Sequence, residues 1–122
     1  MDWRNNVVSE FAEAMGIRGF DFGDTGVACF DIEGAGSFCM EQKEEGVLMY
    51  MAREIDPFNS LPILESALAQ CHYKRSFTYP LQVGFNENQL VICLFMDDSD
   101  FNRPSVERAM QFLMQKTDEL TL

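Results

Sequence analysis

At 122 residues the chain can build one modest core but not two, so a single domain over residues 1–122 is expected. Its 47% hydrophobic content argues against intrinsic disorder. The net charge of −11, with no basic cluster able to neutralise phosphates, argues against nucleic acid and anionic membrane and suits a basic or apolar protein partner.

Met1-Asp2-Trp3-Arg4-Asn5-Asn6 lacks the basic region and apolar core of a signal peptide. Trp3 to Met15 then reads as an amphipathic helix, with Trp3, Val7, Val8, Phe11, Ala14 and Met15 on one side and Gly16 at its C-cap. Ile17 to Phe22 alternates about Asp21 and predicts a short edge strand before the turn Gly23-Asp24-Thr25-Gly26. Val27 to Ile32, Ser37 to Gln42 and Val47 to Arg53 predict an antiparallel meander, since their connections are short and rich in glycine and charge. Phe30 and Ile32, Phe38 and Met40, and Met49 and Met51 recur at a two-residue period, which makes one face of this sheet apolar.

A helix is expected from about Ser60, with Pro62 in its first turn. Its apolar residues Leu61, Ile63, Leu64, Ala67, Leu68 and Cys71 cover nearly half the wheel, wider than one flank of a small core needs. Tyr79 to Phe85 and Gln89 to Met96 predict a hairpin around Asn86-Glu87-Asn88. The second of these strands is apolar on both faces and asks for a cover on each. A last helix carries Pro104 in its first turn, with Asp98 and Asp100 at its start and a stripe of Val106, Ala109, Met110, Leu113, Thr117 and Leu120. The predicted fold class is α+β: a twisted antiparallel sheet of five to six strands with three helices. No apolar run approaches the ~20 residues of a spanning helix, so no membrane insertion is expected.

The sequence offers little chemistry. His72 is the sole histidine, and its neighbour Cys71 diverges from it by about 100° on a helix, which separates the pair as a nucleophile and base. Gly34-Ala35-Gly36 lies between strands with no helix to follow, unlike a phosphate loop. Asp97, Asp98 and Asp100 lack the glycine and distal glutamate of a calcium loop. No catalytic residue, metal or cofactor is assigned. Cys29, Cys39, Cys71 and Cys93 form no C-x-x-C pair and are expected as buried free thiols in a reducing cytosol. The abundance of Phe (11) and Met (8) suggests adaptable apolar surface, with Phe20, Phe22, Phe30, Phe38 and Met40 in the early strands as residues to which an added strand could dock.

Trp3 with Phe11, the helix exit Met15-Gly16-Ile17, and the segment Pro80-Leu81-Gln82-Val83-Gly84-Phe85-Asn86-Glu87-Asn88-Gln89-Leu90-Val91 resemble the small acidic chaperones of bacterial type III secretion, the class I, SycE-like family. The late segment is similar to a SycN-like subunit that pairs with a second chaperone to serve the gatekeeper protein. The resemblance implies a bacterial cytoplasmic, ATP-independent dimer, a homodimer or a heterodimer with a paralogous chaperone. Its interface would use the middle helix and adjoining strands: Leu61, Leu64, Leu68, Leu90 and Ile92. It also implies that the N-terminal segment of a secreted effector or gatekeeper binds in extended form at Val7, Phe11, Phe20, Phe22, Phe30, Phe38 and Met40, and that the secretion ATPase performs release. A dimeric, non-secretory binding or regulatory module of the same fold is the alternative.

Overall fold

In the computed structural model of the chain, described for residues 3–56, 58, 61–62, 65, 82–86 and 88–121, one antiparallel sheet carries two helices on one of its faces. The order is α1 (Trp3–Ala14), β1 (Val27–Ile32), β2 (Gly36–Gln42), β3 (Gly46–Glu54), β4 (Gln82–Asn86), β5 (Gln89–Asp97), a 3₁₀ turn (Asp98–Asp100) and α2 (Arg103–Thr121). The five strands lie in the order β1-β2-β3-β5-β4, so β5 is inserted between β3 and β4, and β1 and β4 are the edges. The α+β class holds. Most of the expected middle helix lies outside the described residues, although Leu61, Pro62 and Glu65 are helical.

The two-residue period of the strands settles which side chains form the core. Phe30, Phe38, Met51, Ile92 and Val83 lie opposite one another in sequence, as do Ala28, Met40, Met49 and Leu94. All of these except Val83, which is partly buried, are at most 3% exposed. On α1, Val8, Phe11 and Ala12 are buried against this layer, and the Phe11 ring meets Phe30 and Phe38 edge-on at 5.5 and 5.9 Å. On α2 the buried residues are Val106, Ala109, Leu113, Thr117 and Leu120, a helical period applied to the same core. Thr117 avoids an unpaired buried hydroxyl by donating to the Leu113 carbonyl at 2.7 Å.

Local chemistry sets the element ends. Gly16 has φ +88°, its N–H donates to the Glu13 carbonyl and that of Ile17 to the Ala12 carbonyl, a Schellman ending for α1. The expected edge strand over residues 17–22 is not formed. Gly19 and Gly23 adopt positive φ, and the Phe22 N–H is taken by the Asn5 side chain at 3.2 Å. Phe20 and Phe22 still turn inward, so their alternation reflects burial without a ladder. The acidic run also differs from expectation: Asp98–Asp100 form their own turn, and Asn102 caps α2 by accepting from the Ser105 N–H at 2.9 Å.

Two arginines tie helices to strand ends. Arg4 donates from Nε and Nη2 to both carboxylate oxygens of Asp98, at 2.9 and 2.6 Å, and from Nη1 to Gln42 at 3.2 Å. Arg53 donates to the Ala35 carbonyl at 2.7 Å and to Thr121 at 2.8 Å. Its Nη2 lies 2.7 Å from Asp118, close enough for an ion pair but out of line for a hydrogen bond.

Candidate functional site

With both helices on one face, the opposite face of the sheet is left to the alternate residues of each strand. Across it runs the row Cys29, Cys39, Tyr50, Cys93 and Gln82, one residue from each strand. Beside the row, Leu48 lies opposite Phe95, and Ala52 opposite Val91. Over β3, β5 and β4 these residues form an open apolar groove of about 470 Å³, to which Leu48, Tyr50, Gly84, Val91 and Cys93 contribute. Phe95, 39% exposed, lines a smaller hollow that shares Leu48, Gln82 and Cys93 with this groove. Gly84 deepens the groove because it has no side chain to fill it.

The groove has a charged rim toward β2. Glu41 pairs with Lys43 at 2.9 Å, and burial, reinforced by Glu41 and opposed by Lys43, raises the Tyr50 phenol above its ordinary value. Tyr50 therefore stays neutral across the physiological range. Among the described residues no cluster of His, Cys, Asp and Glu is arranged to hold a metal, and no helix is long and apolar enough to cross a membrane. The face can do one thing well: bury itself against another apolar surface.

The residues expected at the two sites fall into distinct environments. Phe11, Phe22, Phe30, Phe38 and Met40 are 0 to 3% exposed within the chain's own core, whereas Val7 and Phe20 pack against that core while keeping part of their surface. Phe20 lies on Phe30, ring centroids 4.5 Å apart, beside edge strand β1. Leu90 and Ile92 are fully buried toward the helices, so they present no surface to a partner; on β5 that surface belongs to Val91, Cys93 and Phe95. The two-sided apolar character of the strand is real, but the sides exchange roles. Leu61 is 63% exposed, and Leu64 and Leu68 lie outside the described residues.

Cys29 and Cys39 depart from the expected free thiols. They stand opposite one another on β1 and β2, Cα atoms 4.1 Å apart, and are joined as a disulfide. The roles of Arg4 and the two cysteines were not anticipated, yet both leave a trace. Arg4 sits on the stripe of Val7, Val8 and Phe11, the one charged residue at that helical spacing. The cysteines fall ten residues apart about the Glu33-Gly34-Ala35 turn, but only its register makes them face each other.

This architecture is found in solved structures of type III secretion proteins. A chain of the HopA1–SchA chaperone–effector complex superposes with a TM-score of 0.72 at 15% identity, covering 99% of this chain and 98% of that one. SycH of Yersinia pestis, solved with a stable fragment of YscM2, gives 0.74 at 13% identity, with 96% and 98% covered. YbjN of E. coli shares the fold at 0.60 and 13% identity, over 96% of this chain and 87% of that one. The class defined by fold is thus α+β, an antiparallel sheet packed with helices, which these structures share. The chain belongs to the type III secretory system chaperone SycN family, whose sequence model matches residues 3–121. Among curated proteins none matches its sequence significantly.

Proposed function

We propose that the chain is one subunit of a dimeric, ATP-independent chaperone of the bacterial cytoplasm that holds the N-terminal segment of a secreted effector or gatekeeper protein in extended form. Membership of the secretion chaperone family carries this reading. The open outer groove supports the dimer, because an apolar sheet face of this kind gains by exclusion from water. A middle helix bearing Leu61, Leu64 and Leu68 would complete a three-helix fold and join Val91, Cys93, Phe95, Leu48 and Tyr50 in covering that face. The partner is a second copy or a paralogous chaperone.

Client docking is assigned to the other side of the sheet. A client strand adds to edge β1, and its side chains reach Val7 and Phe20; Phe11, Phe22, Phe30, Phe38 and Met40 form the base on which those two rest. Such binding needs dispersed apolar contacts and backbone pairing and no catalytic group, so no enzymatic step is proposed. Release falls to the secretion ATPase.

The test is co-purification from the native cytosol with the mass of the complex measured by light scattering. Two chaperone subunits per client, with the client's N-terminal region protected from protease, is the expected result. A stable monomer, or recovery of only a non-secreted regulator, would favour the alternative suggested by the likeness to YbjN, a regulatory module of the same fold.

A further inference from the structure

We propose that Cys29 and Cys39 form a reversible thiol–disulfide site that locks or frees edge strand β1. Three observations carry it. The two residues face each other directly across the β1–β2 ladder. Their environments differ: Cys29 is exposed, whereas Cys39 is 5% exposed. Strand β1 is an edge, paired on one side only among the described residues, so the link adds to the turn over residues 33–35 a second covalent tie between β1 and β2, nearer the middle of the strand.

The asymmetry orders the chemistry. With a low-molecular-weight disulfide such as glutathione disulfide as oxidant, the exposed Cys29 thiolate attacks one of its sulfurs, breaking that S–S bond and releasing one glutathione thiolate. The neighbouring Cys39 thiolate then attacks the Cys29 sulfur of the mixed disulfide and displaces the second glutathione. Two protein thiols are oxidised, one glutathione disulfide is reduced to two glutathiones, and the protons lost by the protein thiols are taken up by the departing thiolates. Cys93 shares the face but is two strands from Cys39, beyond Tyr50; at about 10 Å it lies outside the ~7 Å Cα separation that a disulfide can span.

Locking β1 matters because an edge strand is a template for another chain. In the linked form β1 keeps its register and presents a fixed edge; in the dithiol form it is held by backbone pairing, the turn to β2 and the burial of Ala28 and Phe30. This inference does not depend on the identity of a client, and the pair lies toward the β1 edge, outside the groove over β3, β5 and β4 that is given to a second subunit.

The 122-residue protein is equilibrated in glutathione buffers running from strongly reducing to strongly oxidising, quenched with acid, alkylated and read by intact mass and peptide mapping. Amide exchange is followed in parallel. The expected result is a dithiol at the reducing end and a single Cys29–Cys39 linked peptide at the oxidising end, with amides of residues 27–32 exchanging on the order of tenfold more slowly when linked. Cys39→Ser should stop at a glutathione adduct on Cys29, and Cys93→Ser should behave as the parent. A pair oxidised or reduced at every ratio, a link to Cys71 or Cys93, or unchanged exchange at β1 would each overturn the proposal.

Discussion

Gly36 shows how one missing Cβ can hold two strands in place. It sits at φ +119°, and a Cβ there would run into the Ala52 carbonyl oxygen on β3. Gly34, in the same turn, has φ +78° but open space around it. Gly34→Ala should therefore cost about 1 kcal/mol from backbone strain alone. Gly36→Ala, which adds a collision with main chain that cannot swing away, should cost about 3 kcal/mol or more in chemical denaturation. Equal losses would show that the approach of β2 to β3 is not what requires glycine. Tyr50 supplies a second residue-level test. Its raised folded-state pKa means that its contribution to stability is fully present below the ordinary tyrosine pKa and is lost as pH climbs through the raised value. Tyr50→Phe should flatten the alkaline fall in stability and leave the neutral value nearly unchanged, as read by denaturation at stepped pH.

Helix α1 depends on a ring cluster more than on its own propensity. Phe11 stands between Phe30 of β1 and Phe38 of β2, so it joins the helix to the strands on the β1 side of β3, where α2 is anchored through Arg53. Phe11→Ala should cost about 3–5 kcal/mol, the range for deleting a fully buried aromatic ring. The loss should appear first in amide exchange of α1 and β1. Uniform loss across the whole chain, with β5 opening as early as α1, would mean that these elements unfold as one unit. At this scale the sequence was largely legible. Two-residue alternation located β1, β2 and β3, and a continuous apolar run bounded by turn residues located β5, each to within a residue or so, because the central residues of one face of each strand are buried. It misread residues 17–22, where Phe20 and Phe22 alternate in burial while Gly19 and Gly23 deny the segment an extended ladder.

For the whole molecule, the decisive feature is that both described helices cover the same face of the sheet. If the outer groove is where a second subunit sits, Phe95→Asp should convert the dimer to a monomer by light scattering, since a buried unpaired carboxylate costs several kcal/mol. Leu61→Asp should act in the same direction. The monomer so produced should keep its far-ultraviolet spectrum, because Phe95 is 39% exposed in the single chain and contributes little to its core. An unchanged mass for both variants would remove this face from the interface.

The sequence by itself determined the α+β class, the positions of α1, α2, β1, β2, β3 and β5 and the apolar face of the first three strands, because these rest on local period and composition; the family resemblance rests on particular residues such as Trp3, Phe11 and the segment over residues 80–91. Tertiary structure decided what period alone leaves undetermined. Which face of β5 meets the helices depends on strand order and on where α1 and α2 land, so Leu90 and Ile92 became core while Val91, Cys93 and Phe95 became surface. The cysteine pair depends on a turn one residue shorter than the gap between the expected strands: pairing Ile32 with Gly36 sets Cys29 opposite Cys39, whereas pairing Ile32 with Ser37 would have set Cys29 opposite Met40. A shift of one residue in register changes every partner across a ladder, and side-chain alternation along a single strand carries no information about it.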